Sequence, residues 1–275
     1  MRIDPRYDFR RREVIANLTL KNLRTTYKDS VLGFGWSLVN PLITILVYAA
    51  VFTLILRGRG AVGDPSGLDH YGLFIAAGIL PWQFGAGALT GQTQSLVSAS
   101  GLLQKLYVPK WILPFSGLMS RLISFAIELV VLIVLLAAVW HVWAVKYLPF
   151  LIVVVALHAA FLFGAGLGLS VLNVYFRDTE HIVTIAMRLW FWLTPVIYPL
   201  SLIADQDKAV LGIEVETLWK LNPMLWFIES YRELLFDIRI PTLEAFGIMT
   251  AWAAGALVAG GVVYRRLSVR LVERL

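Results

Sequence analysis

The chain has 275 residues, of which 59% are hydrophobic and only 15% charged, and its mean hydropathy is +0.74. Soluble domains carry about a quarter charged residues, so these values exclude that class and define a polytopic membrane protein. The net charge of +6 gathers at helix ends, a topological pattern and not a nucleic-acid footprint; there is no cysteine for a disulfide or thiolate metal site, and the four histidines (His70, His141, His158, His181) lack ligand spacing.

The first predicted element runs from Arg10 to Lys28. At 3.6 residues per turn Arg10, Asn17, Lys21, Arg24 and Lys28 share one stripe, and Phe9, Ala16, Leu20, Leu23 and Tyr27 a neighbouring one. Such a basic arm lies along a membrane surface. Its long charged part and the missing cleavage site argue against a signal peptide. Phe34 to Leu56 carries no charge and has the length of a first span. A Gly-rich loop, Arg57 to His70, precedes span two, Tyr71 to about Val97. Pro81 and Gly85-Ala-Gly-Ala within it predict a kink or break. After the polar loop Ser98 to Lys110, span three is Ile112 to about His141 and span four Tyr147 to about Phe176. Arg177-Asp178-Thr179-Glu180 turns the chain into span five, Ile182 to about Leu202; span six is Leu243 to Tyr264, followed by a basic tail, Arg265 to Leu275.

With six spans, the arm, Lys105, Lys110, Arg177 and the tail arginines Arg265, Arg266, Arg270 and Arg274 fall on one side. By the positive-inside rule that side is cytoplasmic, and so are both termini. Arg57 and Arg59 fall on the other side, beside Asp64 and Asp69. The segment Ala204 to Pro241, external in this topology, is too apolar for a loop and too charged to span. Its length predicts two short helices broken near Asn222-Pro223 that dip into the outer leaflet and return, although an interfacial helix packed on the outer surface fits the same residues. Glu128 in span three and His158 in span four lie equally far from the turn near Trp143, which predicts that they pair or share a water.

Three stretches carry a resemblance to a known family. Leu23-Arg24…Tyr27-Lys28-Asp29-Ser30-Val31-Leu32-Gly33…Trp36…Pro41 resembles the approach to the first span in permeases of type-2 ABC exporters of polysaccharides. Tyr175-Phe-Arg-Asp178 with Thr194-Pro-Val-Ile-Tyr198 resembles their fourth-to-fifth span region, and Asn222-Pro-Met…Glu229…Tyr231-Arg232 their external re-entrant pair. The likeness covers nearly the whole chain, in order, and points to the O-antigen, teichoic-acid and cell-wall galactan exporters as a group.

The resemblance implies an all-α membrane protein with six transmembrane helices, an N-terminal amphipathic interface helix and an external re-entrant helix pair between spans five and six. Residues 1–275 then form one ABC-type-2 transmembrane domain: arm 1–32, spans one to five 33–203, re-entrant segment 204–241, span six and tail 242–275. It implies a homodimer in a bacterial plasma membrane, with two copies of a cytoplasmic ABC ATPase subunit that bind the ATP and magnesium. The chain itself contains no Gly-x-x-x-x-Gly-Lys-Ser/Thr loop, needs no cofactor or metal, and would not be an enzyme. The implied substrate is a polyprenyl-diphosphate-linked glycan, entering from the cytoplasmic side. Lys21, Arg24, Lys28 and Arg188 are candidates for its diphosphate. Leu102, Gln104, Lys105, Tyr107, Arg177, Asp178 and Glu180 would couple to the ATPase. Trp36, Tyr48, Phe52, Trp190, Trp192, Tyr198, Trp219 and Trp226 would line the channel, where ring faces let sugars slide; interface belts account for the same residue type. An exporter of a lipid or small molecule fits the hydropathy equally well. A polyprenyl-dependent membrane enzyme would need clustered acids, and Asp205 with Asp207 reads instead as a solvated loop.

Overall fold

The computed structural model describes residues 5–26, 35–51, 62–105, 108–141, 143–200, 209–210, 213–214 and 219–274. Its α-helices of six or more residues are α1 (Pro5–Thr26), α2 (Trp36–Ala50), α3 (Tyr71–Ser98), α4 (Ser100–Lys105), α5 (Ile112–Trp140), α6 (Leu148–Tyr175), α7 (Thr179–Trp192), α8 (Pro223–Arg232) and α9 (Leu243–Leu267). A π-helical turn, Glu233–Asp237, extends α8, and a two-residue antiparallel pairing joins Ala209–Val210 to Ile213–Glu214.

Four stretches are long and apolar enough to cross a membrane: Tyr71–Ser98, Ile112–Val139, Ala144–Tyr175 and Leu243–Leu267. They coincide with expected spans two, three, four and six. The described part of span one is the 15-residue α2, and the remainder of that span lies outside the described residues. Span five is a shorter helix than expected, 14 residues ending at Trp192. The chain leaves the helix at Leu193, because Pro195 disfavours helical geometry at Thr194. The break expected at Pro81 does not occur, since α3 runs unbroken through it.

The hub is α3. Of its most apolar window 83% is buried, against 22% for α5 and 17% for α9. Lipid offers no hydrophobic drive for helix association, so close packing of small residues must supply it. Gly72, Ala76, Ala77, Gly78, Gly85 and Ala88 give α3 that surface. The pair α6–α9 uses the same device. A Cβ on Gly260 would collide with the carbonyl of Gly164, and one on Gly168 would come within 3.3 Å of Gly260. Gly164-x-x-x-Gly168 thus faces Ala256-x-x-x-Gly260, the small-x-x-x-small pattern of tight membrane helix pairs.

Two contacts define how α7 lies on α3. At one end Gln94 Nε2 donates to Glu180 Oε1 at 2.7 Å; at the other the Tyr71 hydroxyl donates to the Ile197 carbonyl at 2.6 Å. From Tyr71 to Gln94 a helix rises about 35 Å, more than the ~30 Å hydrocarbon layer. Residues 180–197 therefore traverse the bundle beside α3 despite the short helix.

The depth of α8 follows from the same ruler. Met224 approaches Gly85, about 21 Å along α3 from Tyr71. Phe236, at the other end of the segment, packs edge-on against Phe74 with centroids 5.6 Å apart. So α8 starts midway through the bundle and climbs to its end. The first half of the segment, through residue 218, lies almost wholly outside the described residues.

The α1 arm is helical, and its apolar stripe is only partly turned inward. Thr19 and Leu23 are buried while Leu20 is 48% exposed. Ile15, Leu18 and Asn22 are half-buried, so the helix is turned to press that face against the bundle. Leu18 joins a small apolar cluster with Leu96, Leu103, Leu113 and Leu271, which ties α1, α3, α4, α5 and the C-terminal turn together.

Candidate functional site

Two of the sequence motifs interlock. Asn222 caps α8, its Oδ1 accepting from the Met224 backbone N–H at 3.0 Å. The same oxygen accepts from Trp190 Nε1 at 2.8 Å, while Asn222 Nδ2 donates to Thr194 Oγ1 at 2.8 Å. Asparagine alone among small side chains offers both an acceptor and two donors here. At the other end of α8, Arg232 Nη2 donates to the Val196 carbonyl at 2.6 Å and Nη1 to Glu229 Oε1 at 2.6 Å. Its guanidinium carbon lies 3.9 Å from the centroid of the Phe74 ring. A buried cation is tolerated because an acid, a carbonyl and a ring face surround it. Gly78 leaves the space: a Cβ there would meet both Arg232 Nη2 and the Val196 carbonyl at 2.8 Å.

Beside this clasp, α2, α3 and α7 enclose a cavity of about 370 Å³ open to the outside of the bundle. Tyr48, Trp82, Phe191 and Trp192 wall it, and Arg188 lines it. Trp82 is held edge-on by Trp190 and Phe191, with centroids 6.1 and 5.7 Å away. Trp192 is 63% exposed. A neighbouring cavity of about 390 Å³ is lined by Trp190, Leu193, Trp219, Leu221 and Asn222.

A third cavity, about 650 Å³, lies where α1 covers α3 and α5. Lys21 and Arg121 line it among serines and glutamines. Arg121 also lines a fourth, about 350 Å³, with Thr44, Gln83, Ser124 and Glu128. On α5 the residues Ser116, Ser120, Ser124 and Glu128 recur every four positions, which places them on one face with Arg121 beside it.

Tyr48 and Trp192 share the first cavity with Arg188, and Trp190 and Trp219 share the second. Trp36 opens α2 at 38% exposure and lines none of these four cavities. The Tyr198 hydroxyl donates to the Trp192 carbonyl, and Trp226 Nε1 to the Lys220 carbonyl. Lys21 lines the third cavity, and both Lys21 and Arg24 border a groove along α1 with Leu20. Phe52, Lys28 and Tyr107 lie outside the described residues. Leu102, Gln104 and Lys105 belong to α4, at the same end of the bundle as α1. Arg177 and Asp178 form the exposed turn before α7, and the Glu180 backbone N–H donates to Asn173 Oδ1 at 3.1 Å.

Of the expectation that Glu128 and His158 pair or share a water, direct pairing does not occur. His158 is fully buried, stacked on Phe227 at 4.7 Å, and neither ring nitrogen has a partner among the described residues. Phe84 and Phe125, stacked at 4.6 Å, lie between: Phe84 meets His158 edge-on, while both phenylalanines line the Glu128 cavity. Equal depth placed the two residues at one level but left their rotation about the helix axes undetermined. Sequence reasoning also missed Arg121, Trp82 and Phe191. The four-residue spacing of serines leading to Glu128 was the signal for Arg121.

A family model described as "ABC-2 type transporter" matches residues 13–236. The chain belongs to that family of membrane transporters. It is 31% identical to the O-antigen export system permease protein RfbA of Myxococcus xanthus, over 90% of this chain and 91% of that one. A Klebsiella pneumoniae protein of the same name is 26% identical over 96% and 95%, and the polysialic acid transport protein KpsM of Escherichia coli 22% over 91% and 92%.

Proposed function

We propose that this chain is the membrane-spanning subunit of an ATP-driven exporter that carries a polyprenyl-diphosphate-linked polysaccharide, of O-antigen, teichoic-acid or galactan type, out of the cytoplasm. It works as a homodimer in the bacterial plasma membrane with two copies of a cytoplasmic ABC ATPase subunit. Six traverses place both termini in the cytoplasm, and α8 is the returning limb of an external re-entrant pair.

The observation that carries the reading is the cavity walled by Tyr48, Trp82, Phe191 and Trp192. Ring faces hold sugar CH surfaces without fixing register, as a moving polymer requires. Because that cavity opens outward between α2 and α7, one copy cannot enclose a passage, and a second copy facing it can. The two transport relatives named for polysaccharides, matched over nine-tenths of their lengths, support the same substrate class. The turn at Arg177 and Asp178, α4 and α1 gather at one end, where an ATPase could move all three at once.

The test is export in cells depleted of the chain and supplied with variants. Lipid-linked glycan should accumulate inside on depletion. Trp192→Ala and Tyr48→Ala should each slow export roughly fivefold, the loss of about 1 kcal/mol of ring contact. Normal surface glycan in depleted cells, with a lipid or small molecule retained instead, would overturn the polysaccharide reading.

A further inference from the structure

The cavity beneath α1 was not needed to explain the polymer's path, and its chemistry is distinctive. Lys21 and Arg121 are its charged residues, and no carboxylate lines it. The rest of the polar wall is neutral hydroxyl and amide. At Gly91, Gly101 and Gly117 an added Cβ would meet nothing within 4 Å, so the walls keep open space. At about 650 Å³ it falls within the ~300–1,000 Å³ range of small-molecule sites.

Arg121 stands at the inner boundary. Its guanidinium lies across α3 at Gly87, where an added Cβ would touch it at 3.4 Å, and it lines both this cavity and the next. Glu128, two turns further along α5, lines only the second. No hydrogen bond or salt bridge joins Arg121 to Glu128 among the described residues, so the guanidinium keeps its donors. Gln94, on the wall, donates to Glu180, which does not itself line the cavity.

We infer that this cavity holds the diphosphate of a lipid-borne ligand, with Lys21 and Arg121 as its cationic contacts and the acid Glu128, beyond Arg121, marking its inner limit. The inference rests on the export reading above and assigns it an anchoring site separate from the aromatic wall. The neutral hydroxyls and amides are positioned to hydrogen-bond the first sugar attached to the diphosphate. Arg is suited to the inner place because its fork matches phosphate oxygens two at a time.

The experiment measures binding of farnesyl diphosphate to the full chain purified with its ATPase partner. Arg121→Gln and Lys21→Gln should each weaken binding about tenfold, about 1.4 kcal/mol, and Arg121→Lys should recover part of the loss. Glu128→Gln should tighten binding, a direction no general loosening of the bundle produces. Arg266→Gln, on the last turn of α9, should change nothing. Inorganic diphosphate or phosphatidylglycerol vesicles competing as well as the probe would overturn the lipid-borne diphosphate as ligand. If the wild type binds but Arg121→Gln binds equally well at unchanged melting temperature, this site is refuted and the export reading survives. If the wild type binds no farnesyl diphosphate, the site and the lipid-diphosphate part of that reading fall together.

Discussion

Arg232 is the largest fully buried side chain described, and its surroundings explain why no other residue would serve there. Lysine has one charged point where Arg232 uses two nitrogens, at Val196 and at Glu229, while lying flat on Phe74. Arg232→Lys should therefore destabilise the bundle by about 3 kcal/mol, the scale of a broken buried pair, read as a lower melting temperature in detergent. Asn222→Ala removes the cap of α8 and leaves Trp190 Nε1 without its acceptor. Its expected cost is about 1–2 kcal/mol, and Asn222→Asp should restore the acceptor contacts while losing the donation to Thr194. Both residues stand in the stretches that carry the family resemblance. What the motifs encode at these positions is a clasp between the end of α7 and α8, since the polar side chains named in them point at each other.

Among the elements, α6 and α9 make the closest pair, and their contact is a backbone matter. Gly164→Leu or Gly260→Leu would wedge the helices apart, because the added atoms would enter the partner's main chain. Loss of folded protein from the membrane fraction is the expected outcome, whereas Gly255→Ala, where an added Cβ meets nothing within 4 Å, should be tolerated. The turn after α8 should respond to pH. Burial raises the pKa of Glu233 and of Asp237, and Arg239, bonded to Glu233 Oε1 at 2.8 Å, only partly offsets it. A raised carboxyl binds its proton more tightly folded than unfolded, so stability falls as pH climbs from the ordinary carboxylate range through the raised values. Amide protection factors in 233–239, corrected for the intrinsic pH dependence of exchange, should be higher in mildly acidic than in neutral buffer, and Glu233→Gln should flatten that difference. Long apolar runs made α3, α5, α6 and α9 legible in the sequence, because length and charge exclusion decide a span. Rotation about the helix axis is not decided that way. Every residue of a lipid-facing helix can be apolar, so the burial of Leu23 and not Leu20, and the phenylalanines between Glu128 and His158, became visible only in the packing. The same limit hid Arg121, Trp82 and Phe191, whose partners come from other helices.

For the whole molecule the decisive question is how many times the chain crosses. Length alone supports four crossings, but α7 and the residues after it run from the level of Gln94 to that of Tyr71, and Tyr48 on α2 shares a cavity with Ile79, Trp82, Gln83 and Ala86 while Thr44 shares one with Gln83 and Phe84. On that register α2 is antiparallel to α3, and α7 is antiparallel to α6 as their connecting turn requires. The proposed six-span topology would put Asp69 and Arg239 at one end and Asp178 and Arg266 at the other; all four are exposed. The native chain has no cysteine, so single cysteines report without background. In intact cells a membrane-impermeant maleimide should label Asp69→Cys and Arg239→Cys, and should reach Asp178→Cys and Arg266→Cys only after the membrane is permeabilised. Labelling of Asp178→Cys from outside would mean that α7 does not cross, and with it the outward-facing aromatic cavity would lose its place in the membrane.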